Sequence, residues 1–286
     1  MPQLRVVVTG AQGLLGSVTM KTLVQRGHEA ITFEGDLTKS ENVERAIKEI
    51  GRANALIHAA AITDVNQCER ERVSAYASNV MGTRAARDIA TALGARLLYI
   101  STASVFDGQH GDYREDDLPY PKNWYNLTKY AGEEIVRDVP HSLIVRMNLI
   151  GVHPGGSKGR GTNFAEWLLN TIRDGEDMNL FTDVRINPLS NYTIAELLIE
   201  LLEKDVDDRI LHIGSKNIVS KADVGKAFLE KHSEYSGHAT YTTSDALSAL
   251  AHRPKEMWLN VERAAVVFGR ELPTVEQELE RILLNL

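Results

Sequence analysis

The tightest constraint in this chain lies near its start. A β-branched run, Val6-Val7-Val8, passes through Thr9-Gly10-Ala11-Gln12-Gly13-Leu14-Leu15-Gly16 into a segment of helical period. Glycines at this spacing carry meaning only between a strand and a helix, where they serve a tight turn, close backbone approach and an open helix N-terminus. The positive end of such a helix suits a pyrophosphate. Gly10 is expected to take the turn, Gly13 to admit the phosphates and Gly16 to let helix and strand pack closely. Gln12, Leu14 and Leu15 complete the expected cofactor cradle. Glu34 follows Gly16 by eighteen positions, at the expected end of the second strand. A carboxylate there accepts from ribose hydroxyls and repels a 2′-phosphate. Gly35, not arginine, comes next, so NAD(H) is favoured and NADP(H) is possible. The Asp36 carboxylate, beside Leu37, suits either the adenine amino group or the cap of a helix beginning near Ser40.

The first half alternates short apolar runs with helix-period segments. Strands are expected at 4–9, 30–33, 55–59, 96–101 and 142–147, and helices at 13–26, 39–50, 69–93 and 124–138. Near-continuous apolar strands separated by helices imply an α/β fold. The expected architecture is a doubly wound parallel sheet of Rossmann type, covered on both faces, with right-handed crossovers. Beyond Gly151 the texture changes. Residues 151–161 hold five glycines with His153, Lys158 and Arg160, and read as a mobile lid for an anionic diphosphate. Helices are expected at 163–174, 192–203, 220–232, 261–268 and 274–284, with one strand at 209–214. The expected division is a cofactor domain over 1–151, to which the strand near 209–214 returns, and a smaller, discontinuous, mainly substrate-binding lobe over 152–286.

Bulk properties exclude several classes. The net charge is −7 and no basic stripe is present, which argues against nucleic acid. The single cysteine, Cys68, forms no internal disulfide, belongs to no zinc-spaced cluster, and reads as an inert packed thiol. No metal site is expected. No apolar run approaches the roughly 18 residues that span a membrane. Met1 leads almost directly into a strand, so the expected location is cytoplasmic.

Three residues suit proton chemistry. Thr102 follows the strand at 96–101, on the carboxyl edge where open α/β sheets bind ligands. Tyr125 and Lys129 are four apart, so on a helix they share one face. A tyrosine has a pKa near 10 in solution. A lysine ammonium one turn away, with a positive nicotinamide ring, is expected to lower it. The tyrosine then gives its proton to a carbonyl oxygen as hydride reaches the carbon, while the threonine hydroxyl orients that carbonyl. The stripe of Phe164, Trp167, Leu168 and Ile172 reads as core, and His58 as structural or adjacent to the cofactor.

With these pieces in place the chain resembles an extended short-chain dehydrogenase/reductase along nearly its whole length. The matching segments are Thr9–Gly16, His58–Ala61, Asn79–Thr83, Ile100–Gly108 and Tyr125–Lys129 with Ala131–Glu133. It is most similar to the dTDP-4-dehydrorhamnose reductase group, through Ala61–Val65 with Cys68-Glu69, Val105–Gly108, Phe181–Val184 with Asn187-Pro188, and Arg253-Pro254. The resemblance implies that Thr102, Tyr125 and Lys129 are catalytic and that Ala59, Ala60, Ala61 and Asn79 line or support the cofactor site. Relatives often carry Tyr at the position of Ser104, and Thr-Ser-Trp where Met147-Asn148-Leu149 follows Arg146. Ser104 and Asn148 are therefore expected at the sugar, with Thr63 and Val65. Arg185 is expected on the diphosphate, because a guanidinium matches it well. Some relatives carry a glutamate just after the glycine turn that helps bind magnesium at a dimer contact; here Ser17 stands there.

The leading reading is hydride transfer from a nicotinamide cofactor to a 4-keto group of a nucleotide-linked deoxysugar. An epimerase uses the same Tyr and Lys. A dehydratase is disfavoured because Ala103 and Ser104, not an acidic pair, follow Thr102. A third reading is a binding role without turnover, as in the regulatory subunit of methionine adenosyltransferase. A homodimer is expected, because helices 69–93 and 124–138 carry Val80, Ala85, Ala86, Ile89, Ala92, Tyr130 and Ile135 on more than one face.

Overall fold

The computed structural model of the chain describes residues 2–154, 163–206, 208–246 and 254–286. Its central strands are β1 (Arg5–Thr9), β2 (Glu29–Thr32), β3 (Ala55–His58), β4 (Arg96–Ile100) and β5 (Leu143–Met147). Short strands follow: β6 (Leu149–Ile150), β7 (Met178–Phe181), β8 (Arg185–Ile186) and β9 (Leu189–Ser190). Then come β10 (Ile210–Ile213), β11 (Val219–Ser220) and β12 (Ala239–Thr242). Six of these form one parallel sheet in the order β2-β1-β3-β4-β5-β10. The late strand β10 joins its edge against β5. The other strands pair two by two outside the sheet, as β6 with β9, β7 with β12 and β8 with β11.

Alternation along the strands sends side chains to two cores. Val6, Val8, Ile57, Leu98 and Val145 pack with α1 (Leu14–Gln25), α8 (Asn191–Glu203) and the end of α10 (Glu262–Phe268). Val7, Leu56, Leu97, Tyr99 and Ile144 pack on the opposite face. There they meet α2 (Ser40–Ile50), α5 (Gly82–Leu93) and α6 (Trp124–Arg137). A third core lies among α7 (Phe164–Asp174), α9 (Lys221–Lys231), α11 (Val275–Leu283) and β7. Leu168 and Ile172 of the expected stripe belong to that core, while Phe164 and Trp167 pack at its margin. Among the described residues, no helix is long and apolar enough to cross a membrane.

The expected helix 69–93 is not one helix. It divides into α3 (Val65–Arg70), α4 (Arg72–Tyr76), a π-helical turn at Ala77–Met81, and α5. Glu71 breaks the first junction with φ −117° and ψ 52°. The π turn carries Asn79, whose side chain is wholly engaged outside the helix, and such turns gather at functional sites. The faces expected to be unpaired also differ. Val80, Ala86 and Ile89 are buried within this chain. Ala92 is exposed, and the exposed large apolar residues on these elements are Val73, Tyr76, Met81 and Leu127.

Candidate active site

The chain leaves β1 where β2 and β3 flank it, the switch point at which doubly wound sheets bind ligands. Gly10 turns there with φ 68°, and the Gly13 N–H donates to the Gly10 carbonyl at 2.8 Å. A Cβ on Gly10 would lie 2.8 Å from the Ala60 backbone. One on Gly16 would lie 2.1 Å from the Gly10 carbonyl oxygen. Gly16 thus lets the helix close on the turn itself. No side chain caps α1 at Gly13, so its first-turn amides are left for a ligand. This turn, too tight for a Cβ at Gly10 or Gly16, and its uncapped helix end fit a dinucleotide pyrophosphate.

His58 ties this turn to the helices behind it. Its Nδ1 is 2.7 Å from the Thr9 hydroxyl and its Nε2 is 3.0 Å from the Thr83 hydroxyl. The Thr83 hydroxyl donates to the Asn79 carbonyl at 2.6 Å. It therefore accepts from His58 Nε2–H, which leaves Nδ1 to accept from Thr9. Burial, with the Lys129 charge adding to it, holds His58 down at about 3, so the ring is neutral. Asn79 meets both the amide and the carbonyl of Ile62 and also donates to the Thr128 hydroxyl.

Helix α6 begins at Asn123, whose side chain accepts from the Asn126 N–H at 2.8 Å. The Trp124 N–H donates to Glu69 at 2.7 Å and its indole donates to the Arg72 carbonyl at 2.9 Å, pinning the helix start to α3 and α4. Tyr125 therefore sits in the first turn of α6 and Lys129 one turn later. Thr102, just past β4, lines the same cavity as Tyr125, and its side chain accepts from the Ser104 N–H at 3.1 Å. The Lys129 ammonium rests 4.1 Å over the Tyr99 ring.

A cavity of about 570 Å³ joins these parts. Its lining runs from Gly13, Leu14, Leu15 and Gly16, past Ala59 and Ala61, to Thr102, Tyr125 and Lys129, and on to Thr63, Ser104 and Asn148. The far wall comes from the second half of the chain and includes Ile186, Lys221 and Met257. His153 Nε2–H donates to the Gln12 carbonyl at 2.9 Å, and the His153 amide donates to Glu166 at 2.9 Å. These bonds tie the region after β6, and α7, to the glycine turn.

Burial dominates the titration of the central pair. It pushes the Tyr125 phenol well above its usual value; the Cys68 sulfur adds to this and the Thr102 side chain opposes it. Burial also pulls Lys129 down to about 7, against the Glu133 carboxylate. Burial of Tyr125 thus opposes the lowering expected from Lys129 and the nicotinamide ring. Desolvation penalises both charged forms. Cys68 is buried, and its thiol is pushed up to about 11.

The match to known proteins is extensive. The family model described as the RmlD substrate binding domain covers residues 4–286. The chain belongs to this RmlD family. It is 33% identical to the probable low-salt glycan biosynthesis reductase Agl14 of Haloferax volcanii, over 95% of each protein. It is 30% identical to a dTDP-4-dehydrorhamnose reductase of Aggregatibacter actinomycetemcomitans, over 97% of this chain and 98% of that protein. The crystal structure of dTDP-4-dehydrorhamnose reductase from Bacillus anthracis, in complex with NADP, superposes with a TM-score of 0.88. That match has 27% identity over the whole of both chains.

Within this RmlD-family fold, several residues singled out from the sequence lie outside the cavity lining. Gly10, Gln12, Ala60 and Asn79 shape it through the contacts above. Val65 opens α3, and Leu37 lies between β2 and α2. Glu34 is exposed after β2, and its carbonyl accepts from Arg45 Nη2 at 3.3 Å. The Asp36 carboxylate takes the Thr38 amide and hydroxyl, both at 2.8 Å, and the residue at the N-cap of α2 is Lys39. Arg185 lines a second cavity with Thr182, Ser220, Lys226 and Tyr241, and its guanidinium lies 3.7 Å from Glu256. Besides Lys129, the first cavity is lined by Lys221, which the sequence reading missed, as it missed Glu166 and Met257. No local motif marks these three. Of the lid, residues 155–161, with Lys158 and Arg160, lie outside the described residues, as does Arg253.

Proposed function

We propose that this chain reduces the 4-keto group of a nucleotide-linked deoxysugar, with a nicotinamide cofactor as its reductant. The observation that carries this reading is that Thr102, Tyr125 and Lys129 line one cavity with the uncapped end of α1. The amides of Leu14 to Gly16 hold the pyrophosphate, Ala59 to Ala61 support the adjoining ribose, and Lys129 reaches ribose hydroxyls. When bound, the cofactor supplies hydride to the carbonyl carbon. Thr102 holds the carbonyl oxygen against Tyr125, Tyr125 gives that oxygen its proton, and the Lys129 ammonium favours the phenolate left behind. Thr63, Ser104 and Asn148 contact the sugar. Asn148 Nδ2 is already bound to the Met257 carbonyl at 2.7 Å, so its remaining amide oxygen serves as the acceptor.

Residues 1–151, with β10 completing their sheet, form the cofactor domain in this reading, and most of 152–286 forms the substrate lobe. Both cofactors bind, with NAD(H) tighter because of Glu34. Arg45, beside Glu34, supplies the cation that a 2′-phosphate needs. A second copy of the chain covers Val73, Tyr76, Met81 and Leu127.

The test is incubation with NADH and a panel of nucleotide 4-keto sugars. Sugar-dependent loss of nicotinamide absorbance supports the reductase. Product without net NADH loss indicates an epimerase, and binding without product indicates a regulatory role.

A further inference from the structure

One turn beyond Lys129 on α6, Glu133 is fully buried. Its carboxylate accepts from Arg146 Nε at 3.0 and 3.2 Å, from Arg146 Nη2 at 2.7 Å, and from the Ser101 hydroxyl in a very short contact. Arg146 on β5 is fully buried too, with its guanidinium 5.0 Å over the Phe106 ring. Its Nη1 lies 3.4 Å from His212 Nε2. His212 Nδ1 lies 3.0 Å from the Tyr113 carbonyl and must donate to it, so Nε2 is the acceptor and the ring is neutral. A single buried carboxylate thus stands between two cations, Arg146 and Lys129.

Removing two charges from water is costly, and their attraction seldom exceeds that cost by much. This pair sits directly behind the proposed proton relay, and its charges act on Lys129 through a medium that screens poorly. We propose that Glu133 and Arg146 are positioning residues that set the protonation state of Lys129: the carboxylate favours the ammonium, and the guanidinium limits that effect.

The groups facing Lys129 are few. They are Tyr125 and Glu133 on its own helix, Tyr99 on β4, the neutral His58 on β3, and Arg146 beyond Glu133 on β5. Cys68 on α3 faces Tyr125 and carries no charge near neutral pH. Burial leaves Lys129 titrating at about 7, so a change in neighbouring charge alters its protonation within the working range of the protein.

The proposal separates by sign. Glu133→Gln removes the negative charge and leaves Arg146 uncompensated, so Lys129 loses its proton at lower pH. Arg146→Met leaves Glu133 to Lys129 alone, so the proton persists to higher pH. The double variant removes one charge of each sign, and because Glu133 is the nearer of the two its midpoint falls between those of Glu133→Gln and wild type. A packing defect would not produce opposite shifts.

The experiment follows the Lys129 Cε resonance against pH in cofactor-free protein carrying ¹³C-lysine, with Lys129→Arg for assignment. The expected midpoint moves down by about one pH unit in Glu133→Gln, a tenfold change in proton affinity, and up in Arg146→Met. If either single variant does not fold, the other still carries its own sign, and the double tests the partial cancellation. Equal midpoints, or shifts in one direction only, overturn the proposal.

The link to turnover rests on the reductase reading above and is read separately. The basic limb of kcat/KM should follow the same order, because proton transfer from Tyr125 needs the ammonium. If the resonances move and the limb does not, the role given to Lys129 in turnover fails while the charge triad stands.

Discussion

The Asn79 side chain accepts the backbone N–H of Ile62 at 2.8 Å and donates to the Ile62 carbonyl at 3.0 Å. A side-chain amide thus pairs with a loop backbone as a neighbouring strand would. The same Nδ2 reaches the Thr128 hydroxyl at 3.0 Å. The hydroxyl donates in turn to the Tyr125 carbonyl at 2.8 Å. One buried residue therefore couples the strand end beside the cofactor cradle to the helix that carries Tyr125 and Lys129.

Replacing this amide should be costly. Asn79→Asp sets a carboxylate against the Ile62 carbonyl and removes the amide donor, and Asn79→Ala leaves the Ile62 amide unsatisfied and its carbonyl with only the Cys68 thiol. Leaving buried polar groups unpaired costs about 1–3 kcal/mol each. Urea unfolding should show a loss of about 2–4 kcal/mol for Asn79→Ala, with weaker nicotinamide-cofactor binding by calorimetry. A neutral result would mean that these contacts contribute nothing.

Tyr125→Phe deletes one hydroxyl and leaves the cavity wall intact. Positioned proton transfer contributes about 10²–10⁴-fold, so kcat should fall by that factor while the cofactor dissociation constant changes little. Lys129→Ala should impair both. Near-normal turnover in Tyr125→Phe would remove the tyrosine from the reaction.

The cofactor preference can be tested at Glu34 and Arg45. Calorimetric titration should show NAD(H) binding more tightly than NADP(H). Glu34→Gln should narrow that gap by about tenfold, as expected when one repulsive charge worth about 1.4 kcal/mol is lost. Arg45→Ala should weaken NADP(H) and leave NAD(H) unchanged. Tighter NADP(H) binding by the wild type would refute the role given to Glu34.

Two buried histidines make the fold acid-sensitive. His58 and His212 are each held down at about 3, chiefly by burial, from an ordinary value of 6.5. Below pH 6.5 the unfolded chain binds these protons and the folded chain does not, so stability falls with pH until about 3. The loss should be about 1.4 kcal/mol per pH unit for each ring. Urea midpoints measured from pH 7 to 4 should decline more steeply in the wild type than in His212→Gln. Equal slopes would show that His212 takes up its proton without cost.

Much of this molecule was legible in order and spacing. The glycine turn works through contacts within one strand–turn–helix unit: the Gly13 amide meets Gly10 three residues back, and a Cβ at Gly16 would strike the same carbonyl. The parallel sheet follows from apolar runs that must be covered on both faces, and the return of β10 was visible as one such run in the second half. Tyr125 and Lys129 share a face by helical period alone.

Other features were settled only when elements packed. The helix expected over 69–93 breaks, and its π turn holds Asn79 against partners seventeen and forty-nine positions away, Ile62 and Thr128. Lys221, Glu166 and Met257 reach the cavity because short strands and α7 bring the second half of the chain over the glycine turn, and Arg185 goes to a different cavity for the same reason. The high Tyr125 and low Lys129 depend on desolvation, and Glu133 meets Arg146 only where α6 lies against β5. Periodicity and turn chemistry act over a few residues of backbone, so sequence alone determines them. Burial, charge pairing and membership of a cavity depend on which distant surfaces meet, and only the tertiary structure decides that.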